Sequence, residues 1–282
     1  MSSVRVANLK LLAELLDKAL PEIRWHQYRS NGLDGTLAGS ICRLWFDRRD
    51  KFGWLLCRHL AEAGLKKLVQ KTSIIYGPSR LVRQAATGAI GLVASWPVQI
   101  PVEAQATVLA ADLRIMLNSG FPNALPSVPI SSHAKQRLKD VAASRCSIKE
   151  IPTNGKTWDF IVEGRGSTTS QFSAWQPNES AVLLNTLVTN WTADARGTVS
   201  ATATLMLVLN GRLRWVKLVR RGSAIEAQVA IPVDAVTAKA WDLARQALGQ
   251  AVMFCREPLR MIQLPEVARV FEETHQIVRT VH

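Results

Sequence analysis

The sequence lacks the cysteine and histidine patterns of stapled or metal-binding proteins. Only four cysteines occur in 282 residues, and no two of them have CxxC spacing. A disulfide framework in a chain of this length needs more cysteines, and a cysteine zinc site needs them at closer spacing, so the sequence argues against both classes. The five histidines show no partner spacing either. We therefore expect no metal and no other cofactor, and we expect reduced thiols in a cytoplasmic protein.

Catalytic motifs are also missing. The chain contains no GxSxG, no HExxH and no kinase-like set. The Gly/Ser/Thr segment at 164–170, GRGSTTS, has no lysine at the position that a phosphate-binding P-loop requires. The sequence thus favours a binding or assembly protein, working inside a larger complex, over an enzyme.

Long hydrophobic runs of membrane-spanning quality are absent. Residues 84–102 carry no charge, but they include two prolines and two glycines among several alanines. The first 20 residues contain acidic side chains within their apolar stretch, which indicates an amphipathic helix and not a signal peptide. We expect no membrane partner.

Positive charge, by contrast, is abundant. The chain has 35 Lys+Arg against 22 Asp+Glu, a formal net charge of +13. A basic surface attracts phosphates and releases their counterions, so nucleic acid is the commonest partner of such a chain. Basicity that only maintains solubility is the alternative. Most of the surplus lies in the first 150 residues, without forming a continuous basic tail.

A short pattern occurs twice and suggests two related halves. VQIPVEA at 98–104 matches VAIPVDA at 229–235, and an apolar run precedes each copy. Proline ends a strand and suits the entry to a helix, where an acidic residue complements the helix dipole. We predict an α+β protein with halves at 1–144 and 145–282, each an antiparallel sheet with helices packed on it.

Periodicity and turn residues predict the individual elements. The predicted helices span residues 4–20, 51–63, 103–117, 133–143, 179–191 and 234–248, with a last helix that Pro265 opens. The predicted strands span residues 23–29, 37–46, 73–76, 157–163, 200–209, 212–221 and 224–231. Turns are expected at 32–35 and at Asn210-Gly211, where the Asn-Gly pair is a strong hairpin signal. Residues 251–264 are predicted to be extended.

Two basic segments with aromatic residues are the candidate binding sites. The first lies at 212–221 on the predicted hairpin, and its residues are Arg212, Arg214, Trp215, Lys217, Arg220 and Arg221. Arginines can follow a phosphate backbone while the tryptophan stacks on a base. The alternative is a solvated hairpin with a buried tryptophan. The second segment holds Arg48, Arg49 and Lys51, and the alternative there is a charged turn.

The sequence therefore predicts a protein that binds nucleic acid, RNA or DNA, mainly through the phosphate backbone. No helix-turn-helix, zinc-finger or RNP pattern is present, so sequence-specific readout is not expected. A chaperone or adaptor that grips a protein partner through exposed apolar sheet surface is the other hypothesis. A homo-oligomer would favour that second hypothesis.

Overall fold

Two antiparallel sheets of six strands each dominate the computed structural model of the chain. The structure describes residues 3–29, 32–37, 40–46, 52–58, 79–83, 90–117, 130–153, 157–163, 169–178, 180–194 and 196–280. Sheet 1 contains β1 (Ile23–Arg29), β2 (Gly32–Leu37), β3 (Ser40–Phe46), β4 (Phe52–Arg58), β5 (Ser79–Arg83) and β6 (Ile90–Pro97). Sheet 2 contains β7 (Ser147–Ile151), β8 (Trp158–Glu163), β9 (Thr169–Asn178), β10 (Ala181–Asn190), β11 (Val216–Arg221) and β12 (Ala224–Pro232).

Helices pack against these sheets, which confirms the predicted α+β class. The described α-helices are α1 (Ser3–Ala19), α2 (Val102–Leu117), α3 (Ser132–Ala143), α4 (Arg196–Arg212), α5 (Ala238–Met261) and α6 (Pro265–Thr280). Helices α1 and α2 pack on each other, α5 covers β10 and β12, and α4 lies against both β5 and β11. One large hydrophobic core runs through both sheets and includes the stacked rings of Trp158 and Phe160, with Trp241 beside them.

Both sheets have the same strand order along the chain. Sheet 1 runs β1-β2-β3-β4-β6-β5, and sheet 2 runs β7-β8-β9-β10-β12-β11. The last inner strand of each sheet ends on a proline that pairs with the first residue of its neighbour, Pro97 with Phe52 and Pro232 with Ala181. These two prolines are therefore topological counterparts.

The repeated sequence pattern predicts that Pro101 corresponds to Pro232, and the strand register shows that this prediction is wrong. Residues 98–100 follow the end of β6, whereas residues 229–231 lie inside β12. Its two prolines, Pro101 and Pro232, both stand outside α-helices, as expected. After β12 the chain makes a 3-10 turn, Val233–Ala235, before α5 begins. The half boundary at 144/145 stays a prediction, although α3 already packs on β7 and α5.

The predicted Asn-Gly hairpin is wrong, because residues 196–212 form a helix. Asn210 is buried in the last turn of α4, where its Oδ1 accepts from the backbone N–H of Leu218 at 2.7 Å. Its Nδ2 donates to the carbonyl of the same residue at 3.4 Å. The Asn210 side chain thus connects the end of α4 to β11 by two hydrogen bonds, and it does not lie in a hairpin turn.

Several apolar runs also adopt the opposite structure to the predicted one. The expected helices at 51–63 and 179–191 are replaced, where described, by β4 and β10, while the expected extended segment at 251–264 continues α5 to Met261. In β10 the first five residues are all buried, so this run shows no alternation that separates a strand from a helix. The predicted turn at 32–35 is part of β2, which pairs with β1 and β3. Glycine at position 35 permits this close packing, since a Cβ there would stand 2.5 Å from the Arg24 carbonyl oxygen.

Several of the other predicted helices and strands are present in the structure. The structure confirms the helices near 4–20, 103–117 and 133–143, the helix that Pro265 opens, and the strands at 23–29, 157–163 and 224–231. The predicted strand at 73–76 lies outside the described residues. No helix in the described part of the chain is long and apolar enough to cross a membrane.

Candidate nucleic-acid interface

The six candidate residues at 212–221 fall into exposed and buried groups. Arg212 ends α4 and Arg214 lies in the turn that follows, and both are exposed. Arg220 and Arg221 end β11 and are partly exposed. Trp215 and Lys217 are each only 2% exposed. The second cluster, Arg48, Arg49 and Lys51, lies outside the described residues.

Trp215 is a core residue, so base stacking on its ring is not available. Its indole Nε1 donates to the Ala230 carbonyl at 3.1 Å, and its backbone N–H donates to Ser95 Oγ at 2.8 Å. Its φ of 63° lies in the left-handed region, which a bulky side chain rarely adopts. Tertiary contacts therefore hold this residue as an anchor between the sheets.

Arg80 of β5 also contacts Ser95, where the two sheets meet, and it is fully buried. Its Nε donates to the Asn210 carbonyl at 2.6 Å, and Nη1 donates to Ser95 Oγ at 3.0 Å. Nη2 donates to the Leu213 carbonyl. Burial lowers the pKa of this guanidinium to about 9, which still leaves it charged at neutral pH. A strand of sheet 1 thereby satisfies carbonyl groups at the end of α4.

Lys217 of β11 in sheet 2 is also buried, and its charge interacts with that of Arg80. The pKa of Lys217 is lowered to about 8, mainly by burial; the carboxylate of Asp112 opposes this change and the positive charge of Arg80 adds to it. Asp112 also accepts from the Ser79 backbone N–H at 3.0 Å. These charged groups form a polar junction between the sheets and not a ligand surface.

The Lys217 pKa predicts an unusual pH dependence of stability. Between pH 8 and the ordinary lysine pKa of 10.5, the unfolded chain binds a proton that the folded chain has lost. The contribution of Lys217 to the free energy of unfolding therefore rises with pH across this window. We expect Lys217→Met to reduce the slope most clearly between pH 8 and 9, below the lowered pKa of Arg80, measured by urea unfolding at a series of pH values. An equal slope in both proteins would show that Lys217 is not responsible.

Arg220 is held at two points at the exposed end of β11. Its guanidinium carbon lies 4.1 Å from the centroid of the Trp191 ring, and its Nε donates to the Gly222 carbonyl at 3.2 Å. The contacts of Arg220 with the described residues use Nε and the guanidinium carbon over the ring. Among the described residues, no hydrogen bond uses Nη1 or Nη2.

Arg221 makes a similar pair with Trp175. Its guanidinium lies 5.2 Å from that ring, and its Nη1 is 3.4 Å from Glu226 Oε2. The same carboxylate oxygen accepts from Asn185 Nδ2 at 2.8 Å. Neighbouring residues of a strand point to opposite faces, so the two arginines project on either side of the strand end.

The hairpin end that carries these pairs is well fixed. Gly222 has a φ of 57°, as tight turns require, and the Trp191 backbone N–H donates to the Ser223 carbonyl at 2.8 Å. Trp191 Nε1 donates to the Ala193 carbonyl at 2.8 Å. We refer to Trp191, Arg220, Arg221 and Trp175 as the arginine–tryptophan pairs.

Sequence reasoning missed the two tryptophans of these pairs and a glutamine that supports them. Gln263, which follows α5, accepts from the backbone N–H groups of Thr192 and Ala193 and donates to the Asn190 carbonyl. No local pattern links it to residues 70 positions away. The abundance of tryptophan was visible, but its pairing with arginine depends on the register of the sheet.

Metal-binding clusters do not occur in the described part of the chain: it holds no group of three His, Cys, Asp or Glu side chains placed to share an ion. No protein-family model, curated protein or solved structure matches the sequence or the fold.

Proposed function

We propose that the protein is a non-enzymatic binding protein that contacts a polyanion, most simply the phosphate backbone of a nucleic acid, through the arginine–tryptophan pairs. The observation that carries this proposal is Arg220, whose guanidinium carbon lies over the Trp191 ring with Nη1 and Nη2 unused by the contacts above. Two parallel N–H groups of an arginine match two phosphate oxygens. A stacked arginine loses little rotamer freedom when it binds.

Further arginines extend the surface along the same strand. Arg212 and Arg214 are exposed just before β11, and Arg220 and Arg221 end it. The six residues of β11 span roughly 17–20 Å. The net charge of +13 adds long-range attraction that does not depend on sequence. Together these features favour backbone recognition without base-specific readout.

Fluorescence anisotropy with labelled oligonucleotides tests this proposal. At about 50 mM salt we expect binding to single-stranded and double-stranded oligonucleotides of mixed sequence, with little preference among sequences. No binding at that salt concentration would overturn the proposal.

A protein-binding chaperone or adaptor is the second candidate. Several large apolar side chains are exposed near the end of α5, with Met253 at 85% and Phe254 at 50%. Exposed apolar surface of this kind typically marks a protein contact. This apolar surface lies on a helix, whereas the sequence-based hypothesis placed the protein contact on a sheet. Binding that salt barely affects would favour this candidate.

We also infer that the halves descend from a duplication and that the protein works in the cytoplasm. Aligning the sheets by strand register pairs Asp34 with Asp159, Trp45 with Trp175 and Arg80 with Lys217. The shared residue types and shared strand order support the first inference. An experimental structure in which these positions fail to superpose would refute it. The free thiols of Cys146 and Cys255 support the second.

A further inference from the structure

The outer end of α5 exposes apolar side chains that the core does not use. The inward side of this helix is a regular buried stripe of Trp241, Ala244, Leu248, Ala251, Cys255 and Leu259. Phe254, Pro258 and Met261 follow a different line at i, i+4 and i+7, and all three are exposed. Met253 and Leu264 are exposed beside them. We call these five residues the α5 patch.

The neighbouring helix does not cover this patch. Helix α6 uses Ala268 and Phe271 to pack on Ala201 and Leu205 of α4, together with Ile262. On α6 itself Val270 is 56% exposed. The chain therefore folds back onto α4 and leaves the outer side of α5 open.

Charge around the α5 patch differs from that of the whole protein. Residues 252–273 contain three arginines and four glutamates, so their net charge is −1 in a chain of +13. Two opposite-charge pairs already lie there, Glu257 with Arg260 at 3.7 Å and Arg269 with Glu273 at 3.8 Å. A surface with both signs can pair with an identical surface across a two-fold axis.

We propose that a second copy of this chain docks on the α5 patch and forms a symmetric dimer. Two strongly basic chains repel each other over most of their surfaces, whereas the patch and its rim are close to neutral. In an isologous contact each surface meets itself, so an arginine of one rim faces a glutamate of the other. Met253 and Met261 are flexible enough to fill the gaps of such a contact.

Analytical ultracentrifugation of the full chain tests this proposal. We expect the wild type to sediment as a dimer at micromolar concentration. The double variant Phe254→Glu/Met261→Glu places carboxylates in the contact, and the dimer dissociation constant should rise about 100-fold or more. Both side chains are exposed, so circular dichroism and thermal unfolding should be unchanged.

The control variant Ile41→Glu/Leu187→Glu adds the same charge at two exposed apolar positions of the sheets, 59% and 49% exposed. It should remain a dimer. A monomeric wild type at about 100 µM would overturn the proposal and favour a different protein as the occupant. A dimer that survives the patch variant would also overturn the proposal, and loss of the dimer in the control alone would place the contact on the sheets.

Discussion

Arg80→Ala is expected to lower the free energy of unfolding by about 3–5 kcal/mol. The side chain is fully buried and donates to the carbonyl groups of Asn210 and Leu213 and to Ser95 Oγ. Truncation leaves two buried carbonyl groups without these donors and opens a cavity where α4 meets β5. Urea unfolding followed by circular dichroism measures this loss.

A second arginine provides the comparison. Arg43 also makes a charge-assisted hydrogen bond, to Asp34 at 2.6 Å, but its side chain is 46% exposed. Arg43→Ala should therefore cost less than about 1 kcal/mol. Arg80→Lys retains the charge but not the planar fork, and it should fall between the two. An Arg80→Ala protein as stable as Arg43→Ala would show that the buried guanidinium does not hold the sheets together.

Arg220→Gln/Arg221→Gln is expected to weaken oligonucleotide binding about 100-fold at low salt. A hydrogen bond to a charged group contributes roughly 1.5–3 kcal/mol, so two lost phosphate contacts account for this factor. Trp191 and Trp175 stay in place, because Trp191 has its own hydrogen bond to Ala193 and Trp175 is buried. Fluorescence anisotropy gives the affinities.

Loss of net positive charge would by itself also reduce the affinity for nucleic acid, so the control variant must lose the same number of charges. Lys239→Gln/Arg245→Gln removes two positive charges from exposed positions on α5, which leaves +11 in both variants, since 13 − 2 = 11. We expect this control to bind within about threefold of the wild type. Equal losses in the two variants would contradict a localised site and favour diffuse electrostatic attraction.

The fold class was predictable from sequence, but several elements were not. Strands with turn residues at both ends, such as β8 and β12, were located correctly, as were helices with clear limits, such as α3 and α6. Residues 200–209 are rich in Thr, Leu and Val, and this composition predicts a strand. Their helix packs on β5 of the other sheet, and that tertiary contact overrides local propensity.

The candidate site was predictable only in part. The local density of arginine at 212–221 located Arg220 and Arg221, which remain candidates. The same density of basic residues also predicted a binding role for Lys217, which is buried. Alternation along a strand does not show which of its two faces another part of the protein covers. The aromatic partner of Arg220 is Trp191 and not Trp215. Trp191 lies 29 residues before Arg220 in the sequence, and its backbone N–H donates to Ser223 in the β11–β12 turn.

The salt dependence of oligonucleotide binding tests the central claim most directly. If Arg212, Arg214, Arg220 and Arg221 each neutralise one phosphate of a single strand, log K should fall linearly with log salt with a slope of about −3. The Arg220→Gln/Arg221→Gln variant should roughly halve that slope. A slope near zero in the wild type, or no binding at low salt, would contradict backbone recognition.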